Sequence, residues 1–199
     1  APGKSRGINI VSWNFMTAAP KMAQAKTLAF SGFTPPRVPA GKYKVVLTKG
    51  NDSFSQDIEI IYDEKSLTTL EQRKEQETLT QSLFNMVEDL AFMVYEINET
   101  QTKATEVIKN HPKGKKDAQK LYDALENLRT DLVITTGDNY VASADPELRE
   151  KMGDLYSNVA SNYNKVSGAS MANFELIADD FSKAKKQYEN IMAKEGEKF

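Results

Sequence analysis

Two hydrophobic periods divide the chain. From Leu79, apolar side chains recur at steps of three or four through Leu83, Met86, Leu90, Met93, Ile97, Ala104 and Ile108, with Gln101 filling the single gap. This is the stripe of one long amphipathic helix. Before Ser66 the period is two: Tyr43, Val45 and Leu47, then Phe54, Ile58, Ile60 and Tyr62. Alternation of that kind belongs to strands with one apolar face. The pattern predicts an α+β protein. A small, incomplete antiparallel β segment in residues 1–64 feeds an antiparallel up-down four-helix bundle in residues 65–199, with one long first helix.

Within the β segment, residues 7–15 read Gly-Ile-Asn-Ile-Val-Ser-Trp-Asn-Phe. Ile8 and Ile10 share one face, and Val11, Trp13 and Phe15 share the other, so a strand here is buried on both sides or bulged. Residues 16–38 form a long connection with Pro20, Gly32, Pro35 and Pro36, unusual inside a compact domain. Residues 42–48 and 53–62 read as a hairpin turning at Lys49-Gly50-Asn51-Asp52, where Gly and Asn supply positive φ. Both strands then offer one apolar face to a common core. Three strands alone bury little, so this segment is expected to lean on the helices or on sequence outside the chain.

The first helix is expected over residues 66–110, roughly 65 Å at 1.5 Å per residue. Thr68-x-x-Glu71 offers a capping box at its start. His111-Pro112-Lys113-Gly114 stops it. A second helix carries Ala118, Leu121, Leu125, Leu128 and Leu132, and leaves through Thr135-Thr136-Gly137-Asp138-Asn139. Asp145-Pro146, a cap followed by Pro at the first helical position, opens a third with Leu148, Met152, Leu155, Val159 and Val166. Ser167-Gly168-Ala169-Ser170 separates it from a fourth carrying Phe174, Ile177, Phe181, Ala184, Tyr188 and Ile191. Short breaks between amphipathic helices favour antiparallel neighbours.

Composition narrows the function. A net charge of −2 lacks the basic stripe a nucleic-acid interface needs. Lys113, Lys115 and Lys116 cluster at a helix break and read as a solvated turn. No apolar run approaches the roughly 18 residues of a membrane helix. With no cysteine in the chain, disulfides and thiol nucleophiles are excluded. The chain opens Ala1-Pro2-Gly3 without a Met and reads as a piece of a longer protein, whose targeting signals it need not carry.

Catalytic constellations are missing. His111 is the single histidine and sits at a helix end, where it caps. Asp179 and Asp180 are adjacent on a helix and point about 100° apart, so they do not converge on a glycosidic bond. Asp138, Asp145 and Glu147 are explained by turns and the helix dipole. No cofactor motif is present, and the triplets at Asn51 and Asn98 carry no weight. Trp13 and Tyr43 read as core. Phe30 and Phe33, with Met16 and Val38, lie in the Pro-rich connection and are harder to assign to a core. These four are the candidates for docking or glycan contact.

The run Gly7-Ile8-Asn9-Ile10-Val11-Ser12-Trp13-Asn14, a variable loop, then Pro39-Ala40-Gly41-Lys42-Tyr43-Lys44-Val45-Val46-Leu47 resembles the C-terminal region of secreted bacterial BNR-repeat, sortilin-like β-propeller proteins. There a G-x-h-x-h-x-W-D strand precedes P-G-x-Y-x-V-x-L in an Ig-like or fibronectin-like pattern, and long helices follow. Asn14 stands where the family usually has Asp, and Ala40 where it often has Gly. The resemblance implies an Ig-like β segment in an exported, extracellular or periplasmic protein. It also implies an N-terminal β-propeller domain of the same parent as partner, whose propeller would hold any glycosyl hydrolase activity. No catalytic residue carries over, since no propeller repeat is present. Three readings follow: a non-catalytic structural or interaction region, a glycoside hydrolase, and a carbohydrate-binding accessory module using Phe30, Phe33 and Trp13. On the first, residues 7–15 and 16–38 form the docking face for the missing domain, and the isolated chain covers that face by homodimerising.

Overall fold

The structure, a computed structural model, describes residues 6–26, 34–137 and 144–196. Among these the chain is mixed α+β: a two-stranded antiparallel sheet followed by four helices. Strand β1 spans Gly41–Lys49 and β2 spans Asp52–Ile60. Helices α1 to α4 span Leu70–Asn110, Lys115–Leu132, Leu148–Ser161 and Gly168–Glu195.

The hairpin is tighter than expected. Lys49 pairs with Asp52 across a two-residue turn, with Gly50 at φ +60°, a conformation glycine adopts without a Cβ clash. Its register places Tyr43 opposite Ile58 and Leu47 opposite Phe54 on one face. Lys42–Glu59 and Lys44–Asp57 lie opposite on the other. The alternation thus sets the faces as read from the sequence, but the apolar face is no core. Val45, Leu47 and Phe54 are 50%, 55% and 58% exposed. Among the described residues no second sheet packs on the two strands.

The expected strand over residues 7–15 does not form. Residues 8–14 lie outside any strand, and one isolated antiparallel bridge joins Met16 to Arg37. Trp13 turns back, its indole Nε1 donating to Met16 O, and Phe15 takes φ +57°. With apolar residues on both faces and no sheet to cover either, alternation alone could not hold the segment in a ladder. Trp13, read as core, is 42% exposed.

Helix α1 is continuous, as its stripe requires. It begins at Leu70 rather than Ser66, and its capping box is Thr69 with Gln72, one residue beyond Thr68 and Glu71. Thr69 Oγ1 accepts from the Gln72 amide, and Gln72 Oε1 accepts from the Thr69 amide. Leu79, Leu83, Leu90, Met93, Ile97 and Ala104 are buried, joined by Val87 and Val94. Gln101 fills its gap in the stripe for a reason: its Nε2 donates to Glu126 Oε2 at 2.8 Å, so the polar group is satisfied where it is buried. The backbone amide of His111 closes the helix on Val107 O.

All five apolar positions read for α2 are buried. In α3 the cap is Glu147, not Asp145, with Glu150 completing a capping box. Leu148, Met152, Leu155 and Val159 are buried, while Val166 is buried beyond the helix end. Ser167 caps α4, accepting from the Ser170 amide. Ile177, Phe181 and Ala184 enter the core, with Phe174, Tyr188 and Ile191 packed at its margin.

The helices do not alternate strictly up and down. Gly114 lies against Val107, and Gln101 reaches Tyr122 and Glu126, so α2 runs back along the C-terminal half of α1. Phe84 meets Tyr156, and Gln76 donates to Val159 O and Asn162 O, so α3 runs the same way along the N-terminal half. Lys185 reaches Asp89 and Tyr188 reaches Glu96, so α4 runs with α1, packed on both α2 and α3. The physical reason is length. Forty-one residues make a helix of about 60 Å, which two shorter helices cover in tandem.

Candidate docking site

The described part of the 16–38 connection folds onto the helices. Ala23 is 3% exposed within the helical core, with Met22 and Ala25 packed beside it. The Lys21 amide donates to Glu88, its ammonium lies 4.9 Å from the Phe92 ring centre, and the Lys26 amide donates to Ile134 O. On the return, Tyr156 Oη donates to Thr34 O at 2.6 Å, and Arg37 stacks 3.5 Å from the centre of the Tyr163 ring. This segment is a strap across α1 and α3. Of the four residues read as docking candidates, Met16 and Val38 are half-buried at the bridge that ends the strap. Phe30 and Phe33 lie outside the described residues.

Where strap, hairpin base and helices meet, a cleft of about 490 Å³ opens. Phe15, Arg37, Val38, Ile60, Tyr62 and Arg73 are among the residues that line it. Tyr62 Oη donates to Glu77. Burial, then Glu77, raises the Tyr62 pKa, so the phenol stays protonated and keeps donating at neutral pH. Arg73 Nη2 donates to Ser66 Oγ at 3.0 Å. The first contact ties the hairpin base to α1, and the second ties the linker before α1 to its first turns. The arrangement positions two parts of one chain.

Among the described residues no group of three or more His, Cys, Asp or Glu is placed to hold a metal. Asp179 and Asp180 both lie against Lys183, at 2.6 and 3.5 Å, an exposed ion-pair cluster on one helix. No described helix is long and apolar enough to cross a membrane.

The exposed apolar side chains concentrate elsewhere. Ile8 and Ile10 are 95% and 84% exposed. Trp13 and Phe15 pack against each other with rings tilted by 50° and centres 5.1 Å apart, and stay open to solvent. Together with Val45, Leu47 and Phe54 they make the β part an apolar surface beside a closed helical core. Sequence reasoning named the strap and missed the hairpin tip. Period two tells which residues share a face; it does not tell whether that face meets anything. Comparison of the chain with protein-family models, curated proteins and solved structures finds no match.

Proposed function

We propose that this chain is a non-catalytic structural and interaction region, the C-terminal part of an exported bacterial BNR-repeat β-propeller protein. In this reading the helical part is one four-helix bundle, with α2 and α3 in tandem, and the hairpin is an unfinished Ig-like sheet. The observation that carries it is the contrast in burial. Leu83, Val94, Ile97, Leu121 and Leu125 are fully buried, while Val45, Leu47 and Phe54 remain half or more exposed on one sheet face. A contiguous apolar face on an otherwise closed fold marks an interaction surface. The partner is the N-terminal propeller domain of the same parent, and a homodimer is the substitute cover when that domain is absent.

Titration calorimetry of the chain against that domain tests the reading. Leu47→Asp should weaken binding about 100-fold, in line with the loss of a central apolar anchor. Leu176→Asp, on α4 and 66% exposed, should leave it unchanged. Equal affinity for wild type and Leu47→Asp refutes the site. Hydrolysis of a glycan by the purified chain refutes the non-catalytic reading.

The exposed Trp13–Phe15 pair favours a second reading, a carbohydrate-binding accessory module, since sugar rings stack on open aromatic faces. Glycan-array binding that disappears in Trp13→Ala would select it over the first.

A further inference from the structure

β1 has one edge paired to β2 and one edge with no strand on it among the described residues. We propose that residues 6–11 of this same chain are the occupant of that open edge, closing on it as a third antiparallel strand. The inference is independent of the propeller assignment.

The first warrant is a nucleus already in place. The Val38 amide donates to Phe15 O and the Thr17 amide to Pro36 O, both at 2.9 Å, flanking the antiparallel bridge of Met16 with Arg37. The bridge therefore sets an antiparallel start from which residues 6–11 can reach β1. Counted on from that bridge, the pairing sets Val11 opposite Lys42, Ile10 opposite Tyr43, Asn9 opposite Lys44, Ile8 opposite Val45 and Gly7 opposite Val46.

Two further features of β1 agree with that register, and neither was used to choose it. The two-residue turn makes Lys49 and Asp52 a hydrogen-bonded pair, so the odd-numbered residues of β1 turn their backbone groups to β2. Lys42, Lys44 and Val46 turn theirs to the open edge. The bridge uses the amide of Val38, of the same parity, so the ladder continues onto the groups that are available. The second is side-chain placement. Residues opposite each other share a face, so Ile8 and Ile10 join Tyr43, Val45 and Leu47 on the apolar face. A shift by one residue would put both isoleucines beside Lys42 and Lys44.

The hinge is also visible. Phe15 is the single non-glycine residue with positive φ among those described, at +57°. That bend, with Trp13 Nε1 on Met16 O, swings residues 7–14 off the edge. Return of Phe15, and of Gly7 from φ +108°, to extended φ lays the segment down. Pairing over residues 6–11 leaves Tyr62 Oη on Glu77, so the pin to α1 is kept. The closed strand covers an edge that would otherwise accept strands from other chains, and adds Ile8 and Ile10 to the surface that a partner meets.

The chain has no cysteine, so paired cysteines report without background. Ile8→Cys with Val45→Cys, a non-hydrogen-bonded pair in the proposed register, should oxidise to an intramolecular disulfide in the monomer. The shifted pair, Ile8→Cys with Val46→Cys, places the thiols on opposite faces and should oxidise at least about tenfold more slowly. Equal rates for both pairs, no disulfide, or disulfide-linked dimers alone would overturn the proposal, the last by showing that a second copy supplies the strand. Hydrogen exchange on the chain without cysteines gives a separate readout. Lys42, Lys44 and Val46 amides should be protected in the wild type and lose about tenfold in Asn9→Pro, while Tyr43, Val45 and Leu47 keep theirs. Equal protection of Lys42, Lys44 and Val46 in both proteins overturns it.

Discussion

Glu150 and Arg149 are 1% and 3% exposed and meet at 2.6 Å at the start of α3. Glu150 also accepts from the Glu147 amide, so one carboxylate serves both the buried pair and the helix cap. Neutralising Glu150 removes the charge from that hydrogen bond and weakens the cap, a loss of about 1.5–3 kcal/mol. Glu150→Gln should show a loss of that size in urea unfolding. A value under about 1 kcal/mol would mean the pair is effectively solvated. Glu126 makes the corresponding argument for pH. Hydrogen bonding to Arg129, then to Gln101, holds its carboxyl below the ordinary 4.5, against a smaller opposing effect of burial. A depressed folded pKa contributes stability that is complete above the unfolded value and is lost as pH falls through the folded one. The acid limb of the stability curve, from 4.5 downward, should therefore be shallower in Glu126→Gln. Superimposable limbs would remove Glu126 from the account. Neither role was legible beforehand. Arg149, Glu150 and Glu126 sit in charged helical sequence, and only the packing of α3 and α2 on α1 separates them from exposed neighbours.

Among elements, α1 was the most legible because its evidence is redundant. Eleven buried positions recur along one 41-residue stripe, and a few misplaced residues cannot blur that period. Leu90 is 2% exposed in mid-stripe, and Leu90→Ala should cost about 2–5 kcal/mol, read as a fall in thermal midpoint. An unchanged midpoint would put that stripe at the surface. Helix starts were less legible because the signals overlap. Thr68 and Thr69 each have a Glu or Gln three residues on, and Thr69 with Gln72 forms the box. Asp145-Pro146 is a good start signal, yet Glu147 caps α3 because Glu150 reciprocates. The hairpin faces were legible and their surroundings were not. Residues 7–15 carry apolar side chains on both faces, and in the structure neither face is held in a sheet.

At the scale of the molecule, helix count followed from breaks in the sequence, but the path of the helices followed from length. A helix as long as α1 recruits α2 and α3 in tandem, and the strap over residues 16–26 crosses at their junction, where Lys26 bonds Ile134. The helical part thereby closes its own core. The β part does not. Its apolar face ends at the solvent, and the candidate site is this unfinished surface more than the strap that the sequence suggested. One contrast is central: the helical stripes are buried, and the apolar face of the hairpin is open to solvent. Amide hydrogen exchange on the chain alone and on the proposed propeller-containing parent measures that contrast directly. Peptides across residues 43–58 should gain about tenfold or more protection in the parent, while those across residues 83–97 of α1 exchange alike in both. Equal protection of residues 43–58 in the two proteins, with the chain monomeric, would contradict the account.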